Sequence, residues 1–290
     1  MYKSRVQLNM HEKDRALIQS IQEFIGGLGY VSKLNNRSSV EFRVSRLNDL
    51  VDVILPHFDK YPLITKKPSD YLLFKQIVLL MLNKEHNTQQ GMGKVVNIRA
   101  FLNTGLSNDL KQAFPGASLV QPRILESSLK ENILHPEWLA GFSTGESNFF
   151  IAVQKSKTKS GISTSLRFSI GQHSRDLLLL KSFVNFFAGG YVVSYKKRSV
   201  CEYTITKIDH IVGHIIPFFD LYPILGSKRL NYLDFKKAAY IIKNKQHLND
   251  NGLGLKQILE LKKRITTQSS NKTTNNHSVV NGTEKSDQKR

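Results

Sequence analysis

One long stretch of the chain occurs twice. Residues 58 to 75 read FDKYPLITKKPSDYLLFK and residues 219 to 236 read FDLYPILGSKRLNYLDFK, a match that needs no gap. It continues through NKEHNTQQGMG (83 to 93) against NKQHLNDNGLG (244 to 254), so about 14 of about 36 aligned positions are identical at one fixed offset. Chance does not produce that, and a repeat sets the architecture before any single element is assigned. Moving upstream, SSVEFRVSRLNDL pairs with SVCEYTITKIDHI, and DRALIQSIQEFIGGLGYV pairs with DLLLLKSFVNFFAGGYVV if one residue is inserted near Gly27. At the far edge SRVQLNMHEKD (4 to 14) faces LRFSIGQHSRD (166 to 176), and there the first copy runs out of chain. With 290 residues, two modest domains can each bury a core.

The second copy is the fuller one. Pro136 and Glu137 suit the first turn of a helix that runs to about Ser147. FFIAVQK and SLRFSIG alternate as two strands around a loop at 158–163, an antiparallel hairpin by period-two patterning. DLLLLKSFVNFFAG is an apolar helix with Asp176 near its start and Gly189-Gly190 ending it. YVVSY and VCEYTIT form a second hairpin around Lys196-Lys197-Arg198-Ser199, and the helices HIVGHIIPFFD and NYLDFKKAAYIIKNKQ follow. The expected order is α-β-β-α-β-β-α-α, present once in full and once without its first helix and first strand. Residues 113 to 136 hold three of the eight prolines and little periodicity, and read as a linker between a first unit at 1–112 and a second at 137–264. The end, 265–290, is rich in Ser, Thr and Asn, and is expected to be disordered.

Forty-two Lys and Arg against 23 Asp and Glu give a formal net charge of +19. That excess points to a polyanionic partner. Solvated lysines in loops account for part of it, but not for the basic residues inside ordered segments. Nucleic acid is favoured over an anionic membrane surface, and no membrane association is expected, because no apolar stretch is long enough to span a bilayer. Cys201 is the single cysteine, which excludes a disulfide within the chain and a cysteine-based zinc site. The N-terminus lacks the apolar core of a signal peptide. The nine histidines show no HExxH spacing, and His86 and His247 recur at equivalent repeat positions, as packing or helix-end residues would.

The segment WLAGFSTGESNFF, residues 138 to 150, places Ala140 with Thr144 and Gly141 with Gly145 one turn apart. Small residues at that spacing flatten one side of a helix so that another backbone can pack against it. Glu146 then ends the helix beside the partner. If the partner helix carries the same sequence, two carboxylates converge, as a divalent-metal site for phosphodiester hydrolysis requires. Taken alone, the same residues also describe an ordinary helix end with a surface glutamate.

The twofold α-β-β-α-β-β-α unit, the basic charge and the motif LAGFSTGES (139 to 147) together resemble the LAGLIDADG homing endonucleases of the monomeric, two-repeat type. The motif keeps the leucine, alanine, glycine and the acid at the eighth place, with Glu for Asp and Ser for the last Gly. The Tyr-Pro-Leu/Ile, Lys and Asp/Asn-Tyr-Leu pattern of the later helix is similar to the organellar intron-encoded branch. The resemblance covers roughly residues 1 to 262 and implies an α+β fold of two pseudo-symmetric units, each an antiparallel saddle sheet with helices on one face. Two motif helices would pack at the centre, and the sheets would straddle a DNA major groove.

The resemblance implies the site as well. Glu146 matches the metal-binding catalytic acid and the carbonyl of Gly145 a metal-contacting oxygen, with Mg²⁺ as the cofactor. Lys228 matches the basic residue that steadies the attacking water or the phosphate, and Lys67 is its counterpart in the first copy. Gln172 falls where a glutamine often sits near that water, but its counterpart is Met10, which cannot hydrogen-bond in the same way. Ala140, Gly141, Thr144 and Gly145 would form the helix interface. Lys155, Lys157, Arg167 and Thr204 are expected on the groove-facing side of the sheet, and Lys196, Lys197 and Arg198 at a hairpin tip against phosphates. Arg5, Lys33, Arg37 and Arg43 are the corresponding contacts of the first copy. The partner implied is a duplex DNA site of about 20 base pairs, the protein a monomer, and its location the mitochondrion.

A two-repeat enzyme needs two motif helices, and the sequence shows one, because Met1 falls inside the second strand of the first unit. One explanation is that the chain is part of a longer protein, read in frame with an upstream exon. Another is a decayed, inactive or DNA-binding remnant. A third, from a different class, is a maturase that binds its own intron RNA and assists splicing without cutting.

Overall fold

The computed structural model describes residues 4–34, 38–64, 67–102, 106, 108–114, 135–157, 161–249 and 252–270. The chain splits into two compact units, the division falling inside the predicted linker.

The first unit opens with β1 (Val6–His11), α1 (Arg15–Phe24), β2 (Tyr30–Lys33) and β3 (Ser39–Val44). Next, α2 (Leu47–Asp49), a π-helical stretch (Leu50–Ile54) and α3 (Leu55–Lys60) run on without a break in helical backbone, followed by α4 (Lys67–Leu82), α5 (Gln89–Arg99) and α6 (Asn108–Ala113). Its sheet is antiparallel with order β1-β3-β2. The core is Ile18 from α1, Val40, Phe42 and Val44 from β3, and Leu50, Ile54, Leu55 and Val78 from the helices.

The second unit repeats this plan with a helix and a strand in front. It consists of α7 (Pro136–Glu146), β4 (Ser147–Lys155), β5 (Ile162–His173), α8 (Leu177–Phe186), β6 (Tyr191–Tyr195), β7 (Val200–Ile205), α9 (Ile208–His210), α10 (Ile216–Leu221), α11 (Lys228–Lys243) and α12 (Leu253–Ser270). A π-helical stretch, Ile211–Ile215, again joins two of the helices, at the place matching Leu50–Ile54. The four strands are antiparallel in the order β4-β5-β7-β6. Alternate residues Phe149 and Ile151, Leu166, Phe168 and Ile170, and Cys201, Tyr203 and Ile205 meet the helices on one face. Phe149 lies at the centre, its ring centroid 5.3 Å from those of Phe168 and Phe235.

Two sets of residues that match in the repeat gain their reason only in the folded chain. The Tyr232 hydroxyl donates to the Ile216 carbonyl (3.0 Å) and to Asp220 Oδ1 (2.7 Å), while Lys236 holds both Asp220 oxygens at 2.6 and 2.7 Å. Tyr71, Leu55, Asp59 and Lys75 make the same clamp in the first unit. Burial raises the Asp220 carboxyl, but the bonds from Lys236 and Tyr232 outweigh it and hold the group below the usual carboxylate range; Lys75 and then Tyr71 do the same for Asp59. Gly29 and Gly190 have φ of +75° and +88°, and a Cβ there would lie 2.5 Å from the Arg43 carbonyl oxygen and 2.8 Å from that of Thr204. Each glycine lets the chain pass close behind an inner strand.

Three expectations need correcting. The first unit carries two helices beyond the sequence order, α5 and α6, and the second unit one, α12, because α5 and α6 are short of apolar residues and α12 runs on into the polar sequence of the tail. In the second unit α12 runs to Ser270 with Ile265 in the core, so the ordered unit extends past 264 into what reads as tail; residues 271–290 lie outside the described ones. The gapless match also slips by two residues at its end. Gly91 and Gly254, not Gly91 and Gly252, press against the carbonyls of Glu85 and Gln246, because the connection before α12 is longer.

Candidate active site and nucleic-acid interface

The last turn of α7 is fixed from two directions. Lys228, the first residue of α11, is 6% exposed, and its ammonium donates to the carbonyl oxygens of Gly145 (2.8 Å) and Ser143 (3.3 Å). A buried cation at a helix C-terminus meets carbonyls that have no partner within the helix and the negative end of its dipole. Leu225 N–H donates to Thr144 Oγ1 (3.1 Å), and the Ser147 hydroxyl donates to the Ser143 carbonyl (2.6 Å). Held in this way, the chain leaves α7 and enters β4 with Glu146 exposed to solvent. Ser147 faces Ile170 in the ladder, so Gln172 lies two residues further along β5, at the end of the sheet where α7 arrives, on the helix side opposite Cys201. Met10 takes the matching place in the first unit and packs against its core.

Leu139, Ala140 and Ser143 turn inward, whereas Gly141 and Gly145 lie on an open side of α7, where an added Cβ would meet nothing within 4 Å. Ala140 is therefore a core residue of its own unit, and Thr144 is engaged by Leu225, so of the expected small-residue stripe the two glycines are the bare part. Lys67 opens α4 as Lys228 opens α11.

Glu146 and the Gly145 carbonyl are hard oxygen donors, the type Mg²⁺ takes while keeping several waters. The ammonium on the Gly145 oxygen shows that this carbonyl already accepts a cation. Among the described residues no three His, Cys, Asp or Glu side chains gather. This unit therefore offers a metal one carboxylate and one carbonyl, the rest of the shell falling to water or phosphate oxygens.

The sheet face turned away from the helices carries Asn148, Phe150 and Gln154 of β4, Ser163, Ser165, Arg167 and Ser169 of β5, Glu202 and Thr204 of β7, and Tyr191 and Tyr195 of β6. Amides, hydroxyls and one guanidinium suit the hydrogen-bonding edges of bases. Arg167 is on this face as expected. Lys155 is not: it shares parity with Phe149 and Ile151, and is an exposed residue at the strand end. Thr204 does have the right parity, but it is 3% exposed, a short side chain flanked in register by Ser169 and Tyr191, and so it cannot reach a ligand. Lys157, Lys197 and Arg198 are exposed at hairpin ends, and Lys196 opens the turn there.

In the first unit the matching face holds Gln7, Asn9, Tyr30, Ser32, Glu41 and Arg43. Arg43 is placed as expected, and Arg5 is exposed just before β1. Lys33 is on the helix-side parity and pairs with Glu12 at 2.9 Å. Arg37 lies outside the described residues. Sequence reasoning missed Asn148, Phe150 and Gln154, although the alternation of Phe149, Ile151 and Val153 was the signal for them; choosing by charge instead of parity picked Lys155.

The profile of the LAGLIDADG endonuclease family matches residues 1–78 and again 139–239. The chain belongs to the LAGLIDADG endonuclease family. Probable intron-encoded endonuclease 2 of Neurospora crassa is 49% identical over 269 residues, covering 90% of this chain and 58% of that protein. Probable intron-encoded endonuclease 3 of the same organism is 35% identical over 250 residues, 86% of this chain and 46% of its own length. The chain thus spans about half the length of these curated relatives. Among solved structures, the I-SmaMI LAGLIDADG homing endonuclease bound to cleaved DNA has a TM-score of 0.85 at 39% identity, covering 90% of this chain and 86% of that one. The two-unit α+β architecture is that of this LAGLIDADG structure. No helix among the described residues is long and apolar enough to cross a membrane.

Proposed function

We propose that this LAGLIDADG chain is the DNA-recognising and DNA-cutting part of an intron-encoded homing endonuclease, which makes a site-specific double-strand break that promotes intron mobility. The carrying observation is the last turn of α7: an exposed Glu146 beside the Gly145 carbonyl, held by the buried Lys228 at the end of an open sheet face that can read bases. Glu146 and Gly145 would hold Mg²⁺, which supplies charge neutralisation at a phosphate and lowers the pKa of a water. Lys228 fixes the two donors in one geometry and adds positive charge close to the phosphate. Gln172 is at the edge where that water would be oriented. Exposed basic tips at Lys157, Lys197 and Arg198 supply register and affinity on the phosphates. The DNA site would be about 20 base pairs, the protein a monomer, and its home the mitochondrion, as in the organellar branch that the later helix resembles.

The reading calls for a second carboxylate facing Glu146. A motif helix placed before β1, matching α7, would carry it on the open side at Gly141 and Gly145. The test is cleavage, in Mg²⁺, of a plasmid bearing the intron-less insertion site. This chain is compared with a version extended upstream by a restored motif helix, each with Glu146→Gln as control. The extended protein is expected to cut at one site and its Glu146→Gln variant to lose about 10³-fold or more. If neither version cuts while both bind the intron RNA, the maturase reading replaces this one.

A further inference from the structure

We infer that Arg167, backed by Phe150, reads a guanine in the part of the DNA site covered by the second unit, an inference that rests on the DNA-recognition reading above. Phe150 and Arg167 are direct partners across the β4–β5 ladder, both on the open face, and the guanidinium carbon stands 5.1 Å from the ring centroid. Phe150 is 41% exposed, a large apolar ring on the side of the sheet away from the core. Its place is explained by what it supports: a ring beneath a guanidinium restricts the rotation of a side chain that is otherwise rich in rotamers. The Nε of Arg167 is buried and has no hydrogen-bond partner, and among the described residues no carboxylate forms an ion pair with Arg167. With Nε inside, the Nη end is what remains to meet a ligand.

Position separates base from phosphate. Arg167 is in the middle of β5, an inner strand flanked by β4 and β7, whereas the lysines and arginine suited to phosphates are at the hairpin ends. Two parallel N–H donors match O6 and N7 of guanine, both acceptors; adenine presents a donor in place of one of them. Phe150 is thus a positioning residue for specificity, and Arg167 the group that touches the base.

The experiment is selection by mobility shift in Ca²⁺ from a duplex library randomised over about 20 base pairs. It uses the full chain and its Arg167→Ala, Arg167→Lys and Phe150→Leu variants, each checked by thermal melting. Wild type is expected to enrich G·C strongly at one position in one half of the site. Arg167→Ala and Arg167→Lys should lower that preference by about 10-fold and leave the other positions unchanged. Phe150→Leu should weaken the same position and no other. If Arg167→Ala keeps every base preference and only binds all sequences more weakly, Arg167 is a phosphate contact and the inference is overturned. If wild type enriches no sequence at all, the DNA-recognition reading falls and takes this inference with it.

Discussion

Lys228 keeps an ammonium largely out of water, and the two carbonyls at the end of α7 are what make that tolerable. Lys228→Met removes the donor while keeping most of the volume, so the last turn of α7 loses its anchor. The expected cost is about 1–2 kcal/mol of stability, read from urea unfolding; an unchanged midpoint would mean that Ser147 and Leu225 hold the turn without it. The position of Lys228 in the repeat was legible from the sequence, but its bond to Gly145 was not, since 83 residues separate the partners and no local rule joins them. The misplacement of Lys155 has the opposite origin. Its charge drew attention, whereas the alternation of its strand already put it on the side of Phe149, and Phe150 on the open side.

At the level of elements, the duplicated clamp ties α4 to the end of α3 and α11 to the end of α10. Asp220 titrates below its ordinary range when folded, so as acid is added the unfolded chain takes up the proton first. The stability this contributes is complete above about pH 4 and is lost as pH falls through the lower folded value. Asp220→Asn is expected to cost about 1 kcal/mol at neutral pH, a discounted figure because the carboxylate is partly exposed, and to flatten the acid-side decline in melting temperature. Asp59→Asn should behave alike in the first unit. Gly190→Ala is harsher: positive φ and a Cβ pressed on the Thr204 carbonyl predict a loss of more than about 2 kcal/mol, measured by the same unfolding curves. Gly141→Ala, by contrast, fills open space and should raise stability by roughly 0.5–1 kcal/mol. Two of the helices that the sequence hid, α5 and α12, have a start that depends on a glycine packed against a preceding turn, a contact that periodicity does not encode.

For the whole molecule, the net charge and the repeat carried most of the reading, because both are sums over many residues and survive an error at any one. The charge also makes a prediction. The logarithm of DNA affinity should fall linearly with the logarithm of salt concentration, and Lys197→Ala or Arg198→Ala should each lower that slope by about one with no change in base preference. A slope unaltered in both variants would remove the hairpin tip from the contact surface. The two open faces, built on one backbone plan, have meanwhile drifted apart. Tyr30 and Tyr191 correspond, as do Glu41 and Glu202, but Gln7 has become Ser169, Asn9 has become Gly171, and Arg43 has become Thr204. One backbone plan, used twice, thus carries two different vocabularies, and the sequence the chain selects is expected not to be a palindrome.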